Sequence, residues 1–262
     1  MLLTCATKNR DTVGVKHTDI QQRLGEGFCV THLPELTSTN DRAMALAREG
    51  APAGTLISAD FQTAGRGRRG APWVAPPGSS VLMSLILRPA VMLPPAQLAI
   101  LTGAGVANGL CALEIAAEIK WPNDLYVHDR KVAGILVETT GDAVVVGVGI
   151  NCHVEEFPAA LRQRAGSLHA LVGRPIARED VAVAVARGLT EALARVEAGS
   201  IVSVLYAWNT QNWYRRKRVR VSGPLGQVEG DGLFLDGRQL VWHVFTDAGV
   251  VTMPLHSAVQ AL

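Results

Sequence analysis

The segment Gly65-Arg66-Gly67-Arg68-Arg69-Gly70 sets three guanidinium groups among three glycines. Glycines let successive backbone N–H groups turn toward an anion, and arginines add forked contacts to phosphate or carboxylate oxygens. Formally the segment is G-x-G-x-x-G. A dinucleotide fingerprint needs a helix directly after it and an acid about 20 residues further on. Here Ala71-Pro72-Trp73-Val74-Ala75-Pro76-Pro77-Gly78 follows, which cannot be helical, and the next acidic residue is Glu114. Both conditions fail, and no Walker lysine follows. What remains is a glycine loop suited to an anion. Alone, it reads equally well as a solvated basic turn.

Two further segments carry chemistry. Lys120-Trp121-Pro122-Asn123-Asp124 is a tight-turn signal between strands, and Lys131-Val132-Ala133-Gly134 opens the strand one hairpin away. This arrangement presents Lys120, Asn123, Asp124 and Lys131 at one end of a sheet. Gly147-Val148-Gly149-Ile150-Asn151 is a strand holding two glycines. Glycine inside a strand often marks a close approach by a ligand or another backbone. Taken singly, the hairpin reads as surface charge and the glycine strand as a bulge.

The elements that must position these groups follow from patterning. Residues 28–36 alternate as a strand. Ser38-Thr39-Asn40-Asp41 is a helix-capping cluster ahead of Ala43, Met44, Leu46 and Ala47, and Gly50 ends that helix. Strands are expected over 54–60, 80–87, 118–121, 124–127, 131–139 and 143–150. Helices are expected over 94–113, 158–171 and 178–198. From Trp213 onward, short alternating runs with glycine turns predict a small β unit. The expected organisation is a loose arm (1–27), a main α+β domain (28–212) with a mixed sheet flanked by helices, and a C-terminal β unit, plausibly a barrel (213–262).

Composition bounds the function. The 262 residues are 48% apolar and 18% charged, enough to bury a large core. With 25 basic and 23 acidic residues the net charge is only +2, which argues against binding nucleic acid through overall charge. The apolar run 91–113 is broken by Pro94, Pro95, Gln97 and Asn108, so no membrane span is expected. The four cysteines are scattered without a CxxC pair, which indicates neither a metal site nor a disulfide framework. No cleavable signal pattern opens the chain. A reduced, soluble, cytoplasmic protein is expected.

Taken together, the motifs resemble the biotin protein ligase family over roughly residues 36–151. They are Ser38-Thr39-Asn40, Gln62 through Gly70 with Trp73, Lys120 through Tyr126, Lys131 through Glu138, and Gly147 through Asn151. The resemblance implies a class II synthetase-like catalytic fold with an SH3-like β-barrel after it. It also implies a two-step reaction. Biotin attacks the α-phosphate of ATP, carried with Mg2+, to give biotinyl-5′-adenylate and pyrophosphate. A lysine of a biotin carboxyl carrier domain, as in acetyl-CoA carboxylase, then attacks the adenylate and releases AMP.

The same resemblance assigns residues. Arg66, Arg68, Lys131 and Asp124 become the catalytic set. Ser38, Thr39, Asn40, Gln62, Gly65, Gly67, Gly134, Gly147 and Ile150 join Arg66, Arg68 and Lys131 around biotin. Arg69, Trp73, Asn123 and Asn151 join Arg66, Arg68 and Lys131 on ATP. No protein-held metal is implied. The glycine loop is expected to be mobile until biotin orders it. About 27 residues precede the first strand, so the resemblance does not extend to the DNA-binding repressor role of some members. The position two after Asn151 is His153 rather than the family's usual second Asn. The C-terminal unit ends without the arginine many members aim at the nucleotide.

Other readings are a lipoate ligase or octanoyl transferase on the same fold, a nucleic-acid binder using Arg66–Arg69 and Arg215–Arg218, and a binder of biotin and ATP that has lost transfer. The loop and the Lys-Trp-Pro-Asn-Asp run favour biotin over lipoate, and intact Arg66, Arg68 and Lys131 favour activity. Whether two copies pair as a homodimer is not decided by these residues.

Overall fold

In the computed structural model, residues 17–236 and 239–262 are described. Helix α1 (His17–Leu24) precedes strand β1 (Cys29–Leu36), and helix α2 (Thr39–Arg48) leads to β2 (Thr55–Gln62). Strand β3 (Ser80–Leu87) feeds α3 (Pro95–Cys111). Four strands follow: β4 (Glu118–Lys120), β5 (Asp124–Val127), β6 (Arg130–Thr140) and β7 (Ala143–Asn151). Helices α4 (Leu168–Val172), α5 (Arg178–Glu197) and α6 (Ile201–Thr210) complete the main unit.

The seven strands form one mixed sheet in the order β1-β2-β3-β7-β6-β5-β4. Only β1 and β2 run parallel; the other neighbours are antiparallel. Strand β7 shows how the sheet divides its faces. Val144, Val146, Val148 and Ile150 lie in the large core with Leu85, Ile100, Val185 and Leu189. Ala143 and Val145 point the other way, under Ala43, Met44 and Ala47 of α2. The next residues of that second set are Gly147 and Gly149. Side chains alternate along a strand, so α2 covers one end of this face and the glycines leave the rest open.

Helix α3 packs unusually close to α5 because glycines meet there. A Cβ on Gly188 would lie 2.2 Å from the Gly105 carbonyl oxygen, and one on Gly109 would lie 2.6 Å from that of Ala184. Gly188→Ala therefore sets two effects against each other. Helix propensity gains about 1 kcal/mol, and overpacking a backbone contact costs about 1–3 kcal/mol or more. A net destabilisation near 2 kcal/mol is expected, read as a lower urea midpoint at unchanged slope.

The C-terminal unit holds β8 (Arg218–Gly223), β9 (Gly226–Asp231), β10 (Leu233–Asp236), β11 (Val241–Thr246), β12 (Gly249–Pro254) and β13 (Ala258–Ala261). They form two three-stranded antiparallel sheets, β10-β11-β12 and β13-β8-β9. Its Trp242 is fully buried and meets Trp121 edge-on at 5.4 Å and Trp208 at 5.7 Å. Three indoles thus join this unit to α6 and to the turn before β5.

Three local expectations change. Residues 17–24 are not a loose arm but helix α1. Ile20 is buried, Arg23 pairs with Asp180 of α5 at 2.8 Å, and the Gln21 amide bonds the backbone of Phe28 and Val30. Residues 1–16 lie outside the described residues. The expected helix over 158–171 is helical only at Leu168–Val172. The segment before it instead hydrogen-bonds β6: Lys131 N–H to the Arg164 carbonyl at 2.7 Å and Gly166 N–H to the Lys131 carbonyl at 2.9 Å. Residues 158–165 close separate turns, with Arg162 N–H on the Pro158 carbonyl at 3.0 Å and Ala165 N–H on the Leu161 carbonyl at 2.8 Å, and the chain then leaves them to pair with β6. Helix α6 was not anticipated, although Val204, Leu205 and Trp208 bury a face at helical spacing.

Candidate functional site

The open glycine face, the N-terminus of α2 and the 62–79 loop enclose a cavity of about 250 Å³. Its walls include Ser38, Thr39, Asn40, Gln62, Arg66, Gly67, Arg68, Trp73, Asn123, Asp124, Lys131, Gly134 and Gly147. Residues from five separate chain segments therefore meet around one space, the Lys131 amine and the arginine loop among them.

The polar end is built by α2 and β2. Ser38 caps the helix, its hydroxyl accepting the Asp41 N–H at 3.3 Å. Thr39 donates both its N–H (2.6 Å) and its hydroxyl (3.0 Å) to the Gln62 amide oxygen. Ser84 of β3 lies 2.9 Å from the Thr39 hydroxyl and donates within 3.0 Å of the Asn40 amide oxygen. Gly147 makes room for this arrangement, since a Cβ there would sit 2.4 Å from that Asn40 oxygen.

The loop folds back as a flap. Trp73 N–H bonds the Gly65 carbonyl at 2.9 Å and Gly67 N–H bonds the Ala71 carbonyl at 2.6 Å. Arg69 and Gly70 turn the chain with φ of 55° and 74°. Trp73 then lies flat on the glycine floor: a Cβ would come within 2.5 Å of its ring at Gly149 and 2.9 Å at Gly134. The loop, expected to be mobile until biotin orders it, has contacts of its own in this conformation. Trp73 rests on the sheet, and Arg66 is bound on both sides. Its guanidinium donates to Glu138 at 2.9 and 3.1 Å and to Asp41 at 2.5 and 3.2 Å. The Asp41 bonds, then those to Glu138, raise its proton affinity above that of an ordinary arginine.

The other two cations differ. Lys131 Nζ lies 2.7 Å from an Asp124 oxygen, close but not aligned as a hydrogen bond. Arg68 donates only to the Asn123 amide oxygen, at 3.0 Å, so its partner is neutral. Asn123 is itself fixed by a bond to the Ile135 carbonyl at 3.3 Å. Of the three cations, Arg68 carries the least compensated charge, and the Lys131 ammonium shares the cavity with it.

Four expected site residues stand elsewhere. Ile150 lies in the large core and outside the cavity lining, with the parity of Val144 and Val146. Asn151 is buried and donates to the Gly166 carbonyl at 3.1 Å, bracing the segment that holds the Lys131 backbone. Arg69, at the turn of the flap, is exposed and outside the cavity lining. Gly65 is a structural member of the flap, where a Cβ would meet the Trp73 carbonyl at 2.7 Å. Lys120 is also absent from the cavity. Its ammonium sits over the rings of Trp213 (4.0 Å) and Tyr126 (4.8 Å), and burial there lowers its pKa. Burial likewise pushes the Tyr126 phenol up to about 12.

Three contributors were not picked out from the residues: Glu138, Asp41 and Ser84. Glu138 closes the Lys131–Glu138 motif and Asp41 belongs to the capping cluster, but neither pattern announces an arginine partner. Ser84 is the lone central hydroxyl in the apolar run of β3, which was a usable signal.

A mixed sheet with helices on one face and a basic flap over a small polar-ended cavity on the other defines a small-molecule-binding α+β domain. Comparison identifies it further. Residues 33–155 match the model of the biotin/lipoate A/B protein ligase family. The chain is 41% identical over 155 residues to the bifunctional ligase/repressor BirA of Bacillus subtilis, covering 56% of this chain and 48% of that one. It is 40% identical over 128 residues to the biotin--[acetyl-CoA-carboxylase] ligase of Paracoccus denitrificans, covering 45% and 52%. The chain spans about half the length of these curated relatives. The structure superposes on a biotin protein ligase from Aquifex aeolicus in complex with biotin and ATP. The TM-score is 0.77 at 28% identity, covering 89% of this chain and 99% of that one. Among the described residues no helix is long and apolar enough to cross a membrane.

Proposed function

We propose that this protein activates biotin as biotinyl-5′-adenylate at the expense of ATP and transfers it to a lysine of a biotin carboxyl carrier domain. The observation that carries this reading is the cavity. Hydrogen-bonding groups of Thr39, Asn40 and Gln62 and two cations, Arg68 and Lys131, line one cavity. The ligand this suits has a neutral polar ring at one end and an anion at the other. The ureido ring and carboxylate of biotin fit that description.

The first step must bring a carboxylate against a triphosphate. The carboxylate oxygen forms a bond to the α-phosphorus while the bond to the β-bridging oxygen breaks, and the electron pair leaves with pyrophosphate. Negative charge builds on the α-phosphoryl oxygens, where Arg68 and Lys131 supply preplaced positive charge. Magnesium arrives with the triphosphate as part of that substrate. In the second step the acceptor amine attacks the acyl carbon and the acyl–phosphate oxygen bond breaks, so AMP departs. Asp124 already holds one ammonium, that of Lys131, and is placed to orient a second. We assign it positioning of the acceptor lysine, with 28–212 as the catalytic unit and 213–262 as an accessory to it.

Trp73 is assigned to adenine. At about 250 Å³ the cavity is smaller than the ~300–1,000 Å³ usual for ligand sites. The indole on the glycine floor is what fills it, and lifting the ring would free both space and a flat apolar face. The Trp73 Nε1–H is buried without a partner, so this seat leaves a donor unsatisfied. Trp73→Ala should raise the KM for ATP about 10-fold or more, on the order of the 1–3 kcal/mol that one base–aromatic stack contributes. The KM for biotin should change much less. Steady-state kinetics with each substrate varied in turn checks this.

The assignment itself is tested by ATP-dependent incorporation of biotin into a carrier domain, followed by mass spectrometry, with lipoate offered in parallel. Incorporation of lipoate in place of biotin, or of neither, would sink it.

A further inference from the structure

Arg66 is expected on the substrate, yet its guanidinium is spent on Glu138 and Asp41. The two carboxylates are not equal partners. Asp41 is 52% exposed, so solvent screens its pairing. Glu138 is 29% exposed and takes Arg66 in a two-pronged fork, the stronger geometry. The same carboxylate also accepts a bond from the Asn40 amide at 2.5 Å. From Asn40 the contacts continue through Ser84 and Thr39 to Gln62. One unbroken chain of polar contacts therefore runs from the flap arginine to the polar end of the cavity.

We propose that Glu138 is a positioning residue that latches the flap through Arg66 and ties the strength of that latch, through Asn40, to occupancy of the polar end. The coupling rests on the biotin reading above; the latch does not. A cyclic urea bonding Thr39, Asn40 or Gln62 fixes the Asn40 amide, and a fixed Asn40 holds the Glu138 carboxylate in register for Arg66. Ligand at one end thereby favours closure at the other, by way of a carboxylate 72 residues from Arg66 in sequence. The carboxylate fork that holds the flap falls on Arg66, which leaves Arg68, on a neutral partner, and Lys131 as the cations that meet the anion.

The flap contains its own reporter, since trypsin cuts after Arg66, Arg68 and Arg69. Glu138→Gln keeps the shape and removes the charge. In ligand-free protein it should raise the cleavage rate in the flap about 10-fold, the order expected for losing a charge-assisted bond. Asp41→Asn should stay within about twofold. Arg66→Met, which leaves the sites at Arg68 and Arg69, breaks the latch from the other side. Combined with Glu138→Gln it should cut no faster than either single variant, because both remove one contact. Biotin should slow cleavage in the parent and not in Glu138→Gln. In turnover, Glu138→Gln should raise the KM for biotin about 10-fold with kcat changed less than about threefold, a split that general loosening of the fold would not produce.

Cleavage of Glu138→Gln at the parent rate, or additive effects in the double variant, overturns the latch. Should Glu138→Gln fail to fold, the Arg66→Met rate decides: no change from the parent overturns it. Parent cleavage unchanged by biotin overturns the coupling. A protein that binds biotin and is protected, but incorporates none, fails the ligase reading and leaves the latch standing.

Discussion

Lys131→Ala should abolish adenylate formation in practice, with kcat falling at least about 100- to 1,000-fold, the range seen when one preplaced electrostatic donor is removed from a transition state. The geometry explains why the loss should be large. Lys131 is one of only two cavity cations not locked by a carboxylate fork, and it projects beside Arg68 over the glycine floor. The KM for biotin should move far less than kcat, because the polar end of the cavity is untouched. The substitution also orphans Asp124, which lies 2.7 Å from the ammonium. A carboxylate left without its cation adds repulsion toward the incoming phosphates, so Lys131→Ala/Asp124→Asn should recover part of the loss. Pyrophosphate release in single turnover measures both. A Lys131→Ala protein within tenfold of the parent would remove the amine from the chemistry.

Arg68→Gly should act differently. It keeps Lys131, so adenylation persists at a reduced rate. What fails is retention, since Arg68 is the flap residue that faces the anion and stitches the flap to Asn123 across the cavity mouth. Losing a charge-assisted bond of about 1.5–3 kcal/mol corresponds to a roughly 10- to 150-fold faster escape of the intermediate. Released biotinyl-adenylate would then modify exposed lysines on bystander proteins. Quenched-flow detection of free adenylate, with biotin scored on an added non-substrate protein, tests this. Full retention of the intermediate would refute it.

The sequence was most legible where local signals agree. The capping cluster at Ser38, the hairpin at 129–130 and the glycines of β7 each forecast their element, and the motifs they carry converge on one cavity. Where reading fell short, the cause was range or parity. Ile150 follows two cavity glycines, but an alternating strand assigns it to the other face, and the flanking valines, apolar on both faces, hide that parity. Residues 158–165 have locally helical spacing and close local turns, yet the end of the stretch is taken by Lys131, some thirty positions earlier, through the Arg164 carbonyl and the Gly166 N–H. Arg66 was expected on the substrate, and its guanidinium meets Asp41 and Glu138 instead. Its partners Asp41 and Glu138 lie far off in the chain, and no spacing rule connects residues on a helix, a loop and a strand. The polar chain through Ser84 is invisible for the same reason.

The seam between β6 and residues 164–166 has a consequence for where the protein can tolerate change. Lys131 is gripped through its main chain by Arg164 and Gly166, and Asn151 in turn grips Gly166. A one-residue deletion between 155 and 163, on a largely exposed stretch outside the cavity lining, would shift the main chain that carries the Lys131 ammonium. Such a variant should bind its small acid normally and still turn over slowly, a signature that would mislead anyone who judged that stretch by its distance from the ligand alone.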